Sequence, residues 1–332
     1  CDIDVPGRTC FIRKEVKMQL KQWGLAFCVM LMCCGVWAQS TYIGTQQDKG
    51  KVEKTKQTIP DGACGSGMYP VRLTSYVTNP PFGWVEQVRD GEGNVSYAQK
   101  GYAVELIQRL LKKHDIYARP VGFLTDSEAL SALSSTKADM YVGAYYEPKL
   151  RLAGHIYLTP SFVQNTISLI MLKNSDKVVS GFDDLIGLKG IMRADERFYE
   201  YVYPLLPKTT NITVVPDSKE AFTQLLMGQA DYMIASPYST EAEARRFKVN
   251  DRIKMSTLPL NGQGLFVVIS GRSECRGLAQ LLARELKAYI QDPAAVHADI
   301  MTYVNNWGEN FRSAPSLLTE LPKQKDTEKT EK

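Results

Sequence analysis

The sequence predicts an α/β protein built from two lobes. Strand-type and helix-type segments alternate in the order β-α-β-α-β from Val71 to Gly143. The same grammar recurs from Thr166 to Phe247, and a strand with a helix pair closes the chain between Gly264 and Trp307. Alternation of this kind implies parallel strands joined by right-handed crossovers. Two such runs with a closing strand suggest two lobes rather than one large sheet.

The elements follow in order. Val71–Val77 alternates like a strand and runs into the turn Asn79-Pro80-Pro81-Phe82-Gly83, with a second turn at Asp90-Gly91. Tyr102–His114 is an amphipathic helix whose Val104, Leu106, Ile107, Leu110 and Leu111 share one face. A strand (118–123), a helix (126–135) and a strand (139–143) complete the first run. In the second, Thr166–Leu172 is β-prone, and 183–190 leads into a strand and then a helix over 195–206. A strand at 212–215 precedes a helix opened by Asp217 or Ser218, both good N-caps. The strand Asp231–Ala235, a helix to Phe247, the strand 264–269, a long helix 275–290 and a shorter one ending near Trp307 finish the pattern.

The ends read differently. Lys21 followed by the apolar run Leu25–Ala38 fits a secretory leader starting at Met18, because about fourteen apolar residues are short for a bilayer span, with an uncleaved N-terminal anchor as the alternative. Val36-Trp37-Ala38 places cleavage after Ala38. Residues 1–17 match no targeting element and are read as a leader extension foreign to the native chain. Residues 39–67, polar and aperiodic, read as a flexible linker, and 313–332 as a disordered tail. Past the leader only Cys64 and Cys275 remain of seven cysteines, so one disulfide and two buried thiols both stay open. With three histidines and no Cys/His cluster, a structural zinc or c-type haem is excluded, and no cofactor is expected. A net charge of +4 without a basic stripe gives no footprint for nucleic acid.

Several short motifs then fall in register. They are Pro80-Pro81-Phe82; Gly101-Tyr102 with Glu105-Leu106-Ile107; Ala138-Asp-Met-Tyr-Val-Gly143; and Arg151 nine residues before Pro160. Asp184-Leu-Ile-Gly-Leu-Lys-Gly190, Gly228-Gln-Ala-Asp231 and Gly264-Leu-Phe-Val-Val-Ile269 complete the set. Together they resemble the bacterial extracellular solute-binding proteins of family 3, the periplasmic type II, polar amino-acid-binding kind, over Met68–Trp307. That resemblance implies two α/β lobes with a ligand cleft between them, joined by two crossover strands near Val163–Ile167 and Leu260–Gly264. It places 68–165 with 264–312 in lobe 1 and 166–263 in lobe 2. Both cysteines then belong to lobe 1, which makes their pairing geometrically feasible.

The resemblance also implies a ligand set. Arg151 matches the arginine that grips an α-carboxylate, a task suited to its bidentate fork. Ser236 stands where the family has an acid for the amino group, and Asn79 where it has an aromatic. Arg193, Asp195 and Glu196 replace a small helix start that would face a carboxylate. Facing the cleft, those acids would favour a cationic ligand; facing away, they would stabilise the helix N-terminus. Tyr145 and Tyr146 stand where small hydroxyl residues are common and, with Tyr76, Phe82 and Trp84, form a candidate aromatic wall. Phe82 is the one of these expected to pack inward.

The function expected is non-catalytic binding of a small polar solute, an amino acid or related compound, by lobe closure. The chain would be a periplasmic bacterial monomer serving ABC-type uptake with an inner-membrane permease. Two alternatives stay open: a periplasmic enzyme of the same fold, resembling cyclohexadienyl dehydratases, and an orphan ligand sensor acting on a membrane partner. For an enzyme the candidate acids and bases are Glu147, Asp195 and Glu196, with His155 less well placed.

Overall fold

The computed structural model describes residues 63–194, 196, 202–257 and 262–321. The leader, its extension, most of the linker and the helix expected over 195–206 lie largely or wholly outside them.

Lobe 1 is assembled from β1 (Val71–Thr74), β2 (Thr78–Asn79), β3 (Gly83–Arg89), β4 (Val95–Lys100), β5 (Ala118–Pro120), β6 (Met140–Ala144), β7 (Ile156–Tyr157) and β8 (Val163–Asn165). Lobe 2 adds β9 (Ser168–Leu172), β10 (Lys189–Arg193), β11 (Asn211–Val215), β12 (Tyr232–Ala235) and β13 (Ile253–Thr257). The last strand, β14 (Gln263–Ile269), returns to the first sheet. The helices are α1 (Tyr102–Lys112), α2 (Asp126–Ser134), α3 (Pro148–Leu152), α4 (Ser218–Leu226), α5 (Pro237–Arg246), α6 (Ala279–Tyr289) and α7 (Pro293–Glu309).

The first sheet runs β5-β1-β6-β14-β7, with β1 parallel to both β5 and β6 and with β14 antiparallel to β6. Its crossover helix α1 buries Val104, Leu106, Ile107, Leu110 and Leu111, the stripe its spacing predicts. α2 opens on a capping box in which Thr125 Oγ1 accepts from Glu128 N while Glu128 returns to the Thr125 amide. The second sheet runs β11-β10-β12-β9-β13. Its strands alternate faces at the period of two that a pleat demands. Ile170, Ile191 and Met233 join one core, whereas Leu169, Met171, Met192, Tyr232 and Ile234 join the other. Apolar side chains therefore pack on both faces of a mixed sheet, in which β10 pairs parallel with β11 and β12 while β9 pairs antiparallel with β12 and β13.

Two antiparallel segments link the lobes: β8 pairs with the start of β14 through Asn165↔Gln263, Gln164↔Gly264 and Val163↔Leu265. This ribbon is the hinge. Gly262 sits where a Cβ would lie 2.1 Å from the Asn165 carbonyl oxygen, so only glycine lets the strands cross so closely. Cys64 and Cys275 are joined by a disulfide spanning 211 residues of chain.

Several elements differ from the sequence reading. Residues 83–100 form the hairpin β3–β4, which pairs Trp84 with Lys100 through Arg89 with Val95. β13 was not anticipated either. α7 is longer than α6, at 17 residues against 11. Of the tail expected to be disordered from Ser313, residues 313–321 are described, and they pack against the second lobe. Leu317 is buried in the second lobe, its amide donates to Phe247 O, and Lys219 pairs with Glu320 at 2.6 Å. The apolar Leu317, Leu318 and Leu321 dock this segment, a signal masked in the sequence by the Lys/Glu-rich residues that follow. The end of the expected linker is likewise held: Gly65 N donates to Tyr69 O, and Tyr117 N to Gly65 O.

Candidate functional site

The C-terminal ends of parallel strands are where α/β sheets present ligand-binding groups, and here both sheets turn those ends toward the hinge. From lobe 1, the segment leaving β1 carries Tyr76, Thr78 and Asn79, and the segment leaving β6 carries Tyr145. Tyr76 is buried, stands edge-on to Tyr141 at 5.4 Å and lies 6.3 Å from Tyr145. Asp126, in the first turn of α2, accepts from Val77 N at 2.8 Å, which ties that helix start to the loop after β1. From lobe 2, Arg193 ends β10 and Glu196 follows it. The Arg193 guanidinium bonds Ser218 Oγ through Nη1 (2.5 Å) and Glu196 Oε1 through Nη2 (3.1 Å).

Tyr76, Thr78, Asn79, Asp126, Tyr145, Arg193 and Glu196 line one cavity of about 30 Å³. That is room for little more than a water molecule. Ser239 of α5 in lobe 2 donates its hydroxyl to Asn79 Oδ1 of the cavity lining at 3.1 Å, one of several hydrogen bonds between α5 and lobe 1, with Trp307 Nε1 to Glu243 and Tyr238 to His297. Deeper in, the hinge residue Asn165 donates from Nδ2 to the Tyr145 hydroxyl at 2.6 Å, joining the hinge strand to the cavity wall. The described lining carries two carboxylates, Asp126 and Glu196, against one guanidinium, Arg193.

Five of the residues singled out from sequence thus meet in this cavity: Tyr76, Asn79, Tyr145, Arg193 and Glu196. Asp195 lies outside the described residues. Four others stand elsewhere. Arg151, the expected carboxylate anchor, is exposed on α3. That five-residue helix opens on Pro148 and turns Leu150 inward, which leaves Arg151 and Leu152 on its solvent side. Tyr146 is half exposed and packs against Tyr157 at 5.2 Å. Trp84 is buried against Trp307 (5.2 Å) and donates to Glu86 Oε1. Ser236 is the buried N-cap of α5 and lines no wall of this cavity. Phe82 packs inward as expected, fully buried against Tyr102 and Tyr238.

Of the candidate acids and bases for turnover, Glu196 lines the cavity and Asp195 lies outside the described residues, whereas Glu147 and His155 stand elsewhere. The Glu147 amide donates to the Tyr157 hydroxyl at the start of α3. His155 is buried behind the first sheet, where its Nε2 meets Ser134 Oγ at 3.2 Å and burial, reinforced by Arg272, holds its pKa below the ordinary value. Neither lines the cavity. Asp126, Thr78 and the hinge Asn165 went unnoticed in the sequence. The available signal for Asp126 was its place at a helix start just beyond a parallel strand.

No protein-family model matches the sequence, and no curated protein matches it. Solved structures do. An ancestral cationic amino acid solute-binding protein is 19% identical over 71% of this chain and 95% of its own, with a TM-score of 0.53. An amino acid ABC transporter substrate-binding protein from Streptococcus pneumoniae, bound to L-arginine, is 14% identical over 72% and 95%, at 0.51. A histidine kinase sensor domain with similarity to periplasmic binding proteins is 19% identical over 70% and 95%, at 0.50. Two α/β lobes, a two-strand hinge and these matches converge on one architecture: the chain has the fold of the type II periplasmic binding proteins.

Proposed function

We propose that the chain is a non-catalytic binding protein whose lobes close on a small polar solute carrying a cationic group. One observation carries this reading: aromatic and charged side chains from both lobes meet in a single cavity across a two-strand hinge. Closure around a ligand desolvates such groups and draws affinity from them. The lining's excess of carboxylate over guanidinium favours an amino acid with a basic side chain over a dicarboxylate. Two of the matched structures are named for cationic amino acids or contain arginine, which agrees with this choice. Binding without turnover is supported by the engagement of the lining acids, Asp126 by a backbone amide and Glu196 by Arg193.

The disulfide supports an oxidising compartment, and with the leader read from the sequence it favours the periplasm. Delivery to an ABC permease is the role that fits such a clamp. The kinase sensor domain among the matches favours ligand sensing as the second reading. The test is thermal-shift screening of the purified chain against amino acids, polyamines and small dicarboxylates. A bound solute at a hundredfold its Kd stabilises the closed form by about 2.7 kcal/mol. Arginine, lysine or ornithine should raise the melting temperature, and a flat response across the panel would sink the proposal.

A further inference from the structure

A second cavity, of about 490 Å³, opens between the lobes on the other side of the loop that follows β1. Its volume falls in the range of small-molecule sites. It shares Thr78 and Arg193 with the smaller cavity but has a different chemistry. Lobe 1 contributes Trp84 and Trp307, packed edge to face at 5.2 Å, and lobe 2 adds Phe247. Over this aromatic wall sits Arg246, its guanidinium carbon 5.1 Å from the Phe247 ring centre, 5.9 Å from Trp307 and 4.6 Å from Phe311. Glu243 Oε2 accepts from Arg246 Nη1 at 3.2 Å. Of the five N–H donors of a guanidinium, that bond uses one. Lys219, more than half exposed at the rim, is the second cation there. Counting Arg193, the lining carries three cations against Asp217 and Glu243, with Lys219 also paired to Glu320 and Arg193 to Glu196 from outside it.

We infer that this interlobe cavity is a second ligand site, which takes a small aromatic carboxylate. The ring would lie against Trp84 and Trp307, with the carboxylate toward Arg246 and Lys219. Aromatic faces and a guanidinium together suit a flat anion. A neutral aromatic would forgo the charged hydrogen bonds, and an aliphatic acid the ring contacts. Because the walls come from both lobes, an occupant bridges them and favours the closed arrangement.

The probe is phenylacetate, added to the full chain and followed by titration calorimetry and tryptophan emission. Of the four tryptophans, Trp84 and Trp307 both line this cavity, whereas Trp23 and Trp37 precede the described residues. Phenylacetate should bind saturably and alter the emission, with phenylacetamide about tenfold weaker for want of the charge-assisted bond. Arg246→Gln and Lys219→Ala should each weaken phenylacetate about threefold or more. Lys219→Ala, at an exposed position, keeps the test valid should Arg246→Gln fail to fold. Tyr145→Phe, at a residue that lines the smaller cavity and not this one, should leave phenylacetate affinity unchanged, so failure of the cleft solute does not decide this site. No saturable signal, equal binding of acid and amide, or wild-type affinity in the folded variants would each overturn the inference.

Discussion

Breaking the Cys64–Cys275 bridge should lower stability by several kilocalories, because of what it encloses. The loop spans 211 residues and contains every strand from β1 to β14, so it constrains the unfolded chain of both lobes. Loop-closure entropy for that length gives about 5 kcal/mol, and native bridges typically contribute about 2–5 kcal/mol. At this chain size each kilocalorie shifts the melting temperature by about 2–4 °C, so a drop of about 4–20 °C follows. The anchors are local as well: Cys275 is buried in the turn before α6, and Gly65 beside Cys64 abuts Ile116. Differential scanning calorimetry of the full chain against Cys64→Ser/Cys275→Ser reads the difference directly, without ambiguity from the five cysteines nearer the N-terminus. A change under about 2 °C would refute the claim that the bridge restrains both lobes.

Gly262→Ala would drive a Cβ to 2.1 Å from the Asn165 carbonyl oxygen and should cost about 1–3 kcal/mol in a urea melt; unchanged stability would show that the hinge strands are not held at this distance. Leu317→Ala removes a buried side chain from the second lobe's core and should cost about 2–5 kcal/mol, whereas no effect would mean the C-terminal segment does not dock. His155, held below its ordinary value of 6.5 by burial and by Arg272, is neutral in both states at high pH. Below 6.5 the unfolded chain takes the proton first, so stability should fall with pH by up to about 1.4 kcal/mol per unit until the folded histidine also protonates. His155→Asn should flatten that slope, and an identical slope in urea melts at pH 5 to 7 would assign it to other groups.

The alternation of strands and helices was legible because apolar stripes such as Val104–Leu111 and the N-cap Asp217 are local signals. What escaped was set by tertiary context. β3 and β4 form a hairpin that buries Gly83, Trp84 and Gln99 but exposes Val88, Val95 and Tyr97, so no continuous buried face marks them as strands. Arg151 keeps its spacing to Pro160, yet spacing does not set the rotation of a short helix, and Leu150 claims the inward side. Glu196 and Arg193 were visible as charges where small residues were expected, and that departure is what now lines the cavity. Asp126 looked like a helix start and nothing more, since its role depends on a lobe formed 70 residues later in the chain.

The central claim is that the two lobes clasp a cationic solute between Asp126, Glu196 and the tyrosine wall. Titration calorimetry of L-arginine into the full chain, beside Glu196→Gln and Asp126→Asn, tests it most directly. Removing a charge-assisted contact should weaken binding about tenfold or more. One saturable site is expected in the wild type, weakened in both variants, with Glu196→Gln also losing stability because Arg193 is left without its buried counter-charge. Absence of heat from arginine, lysine and ornithine alike, or wild-type affinity in both variants, would contradict it.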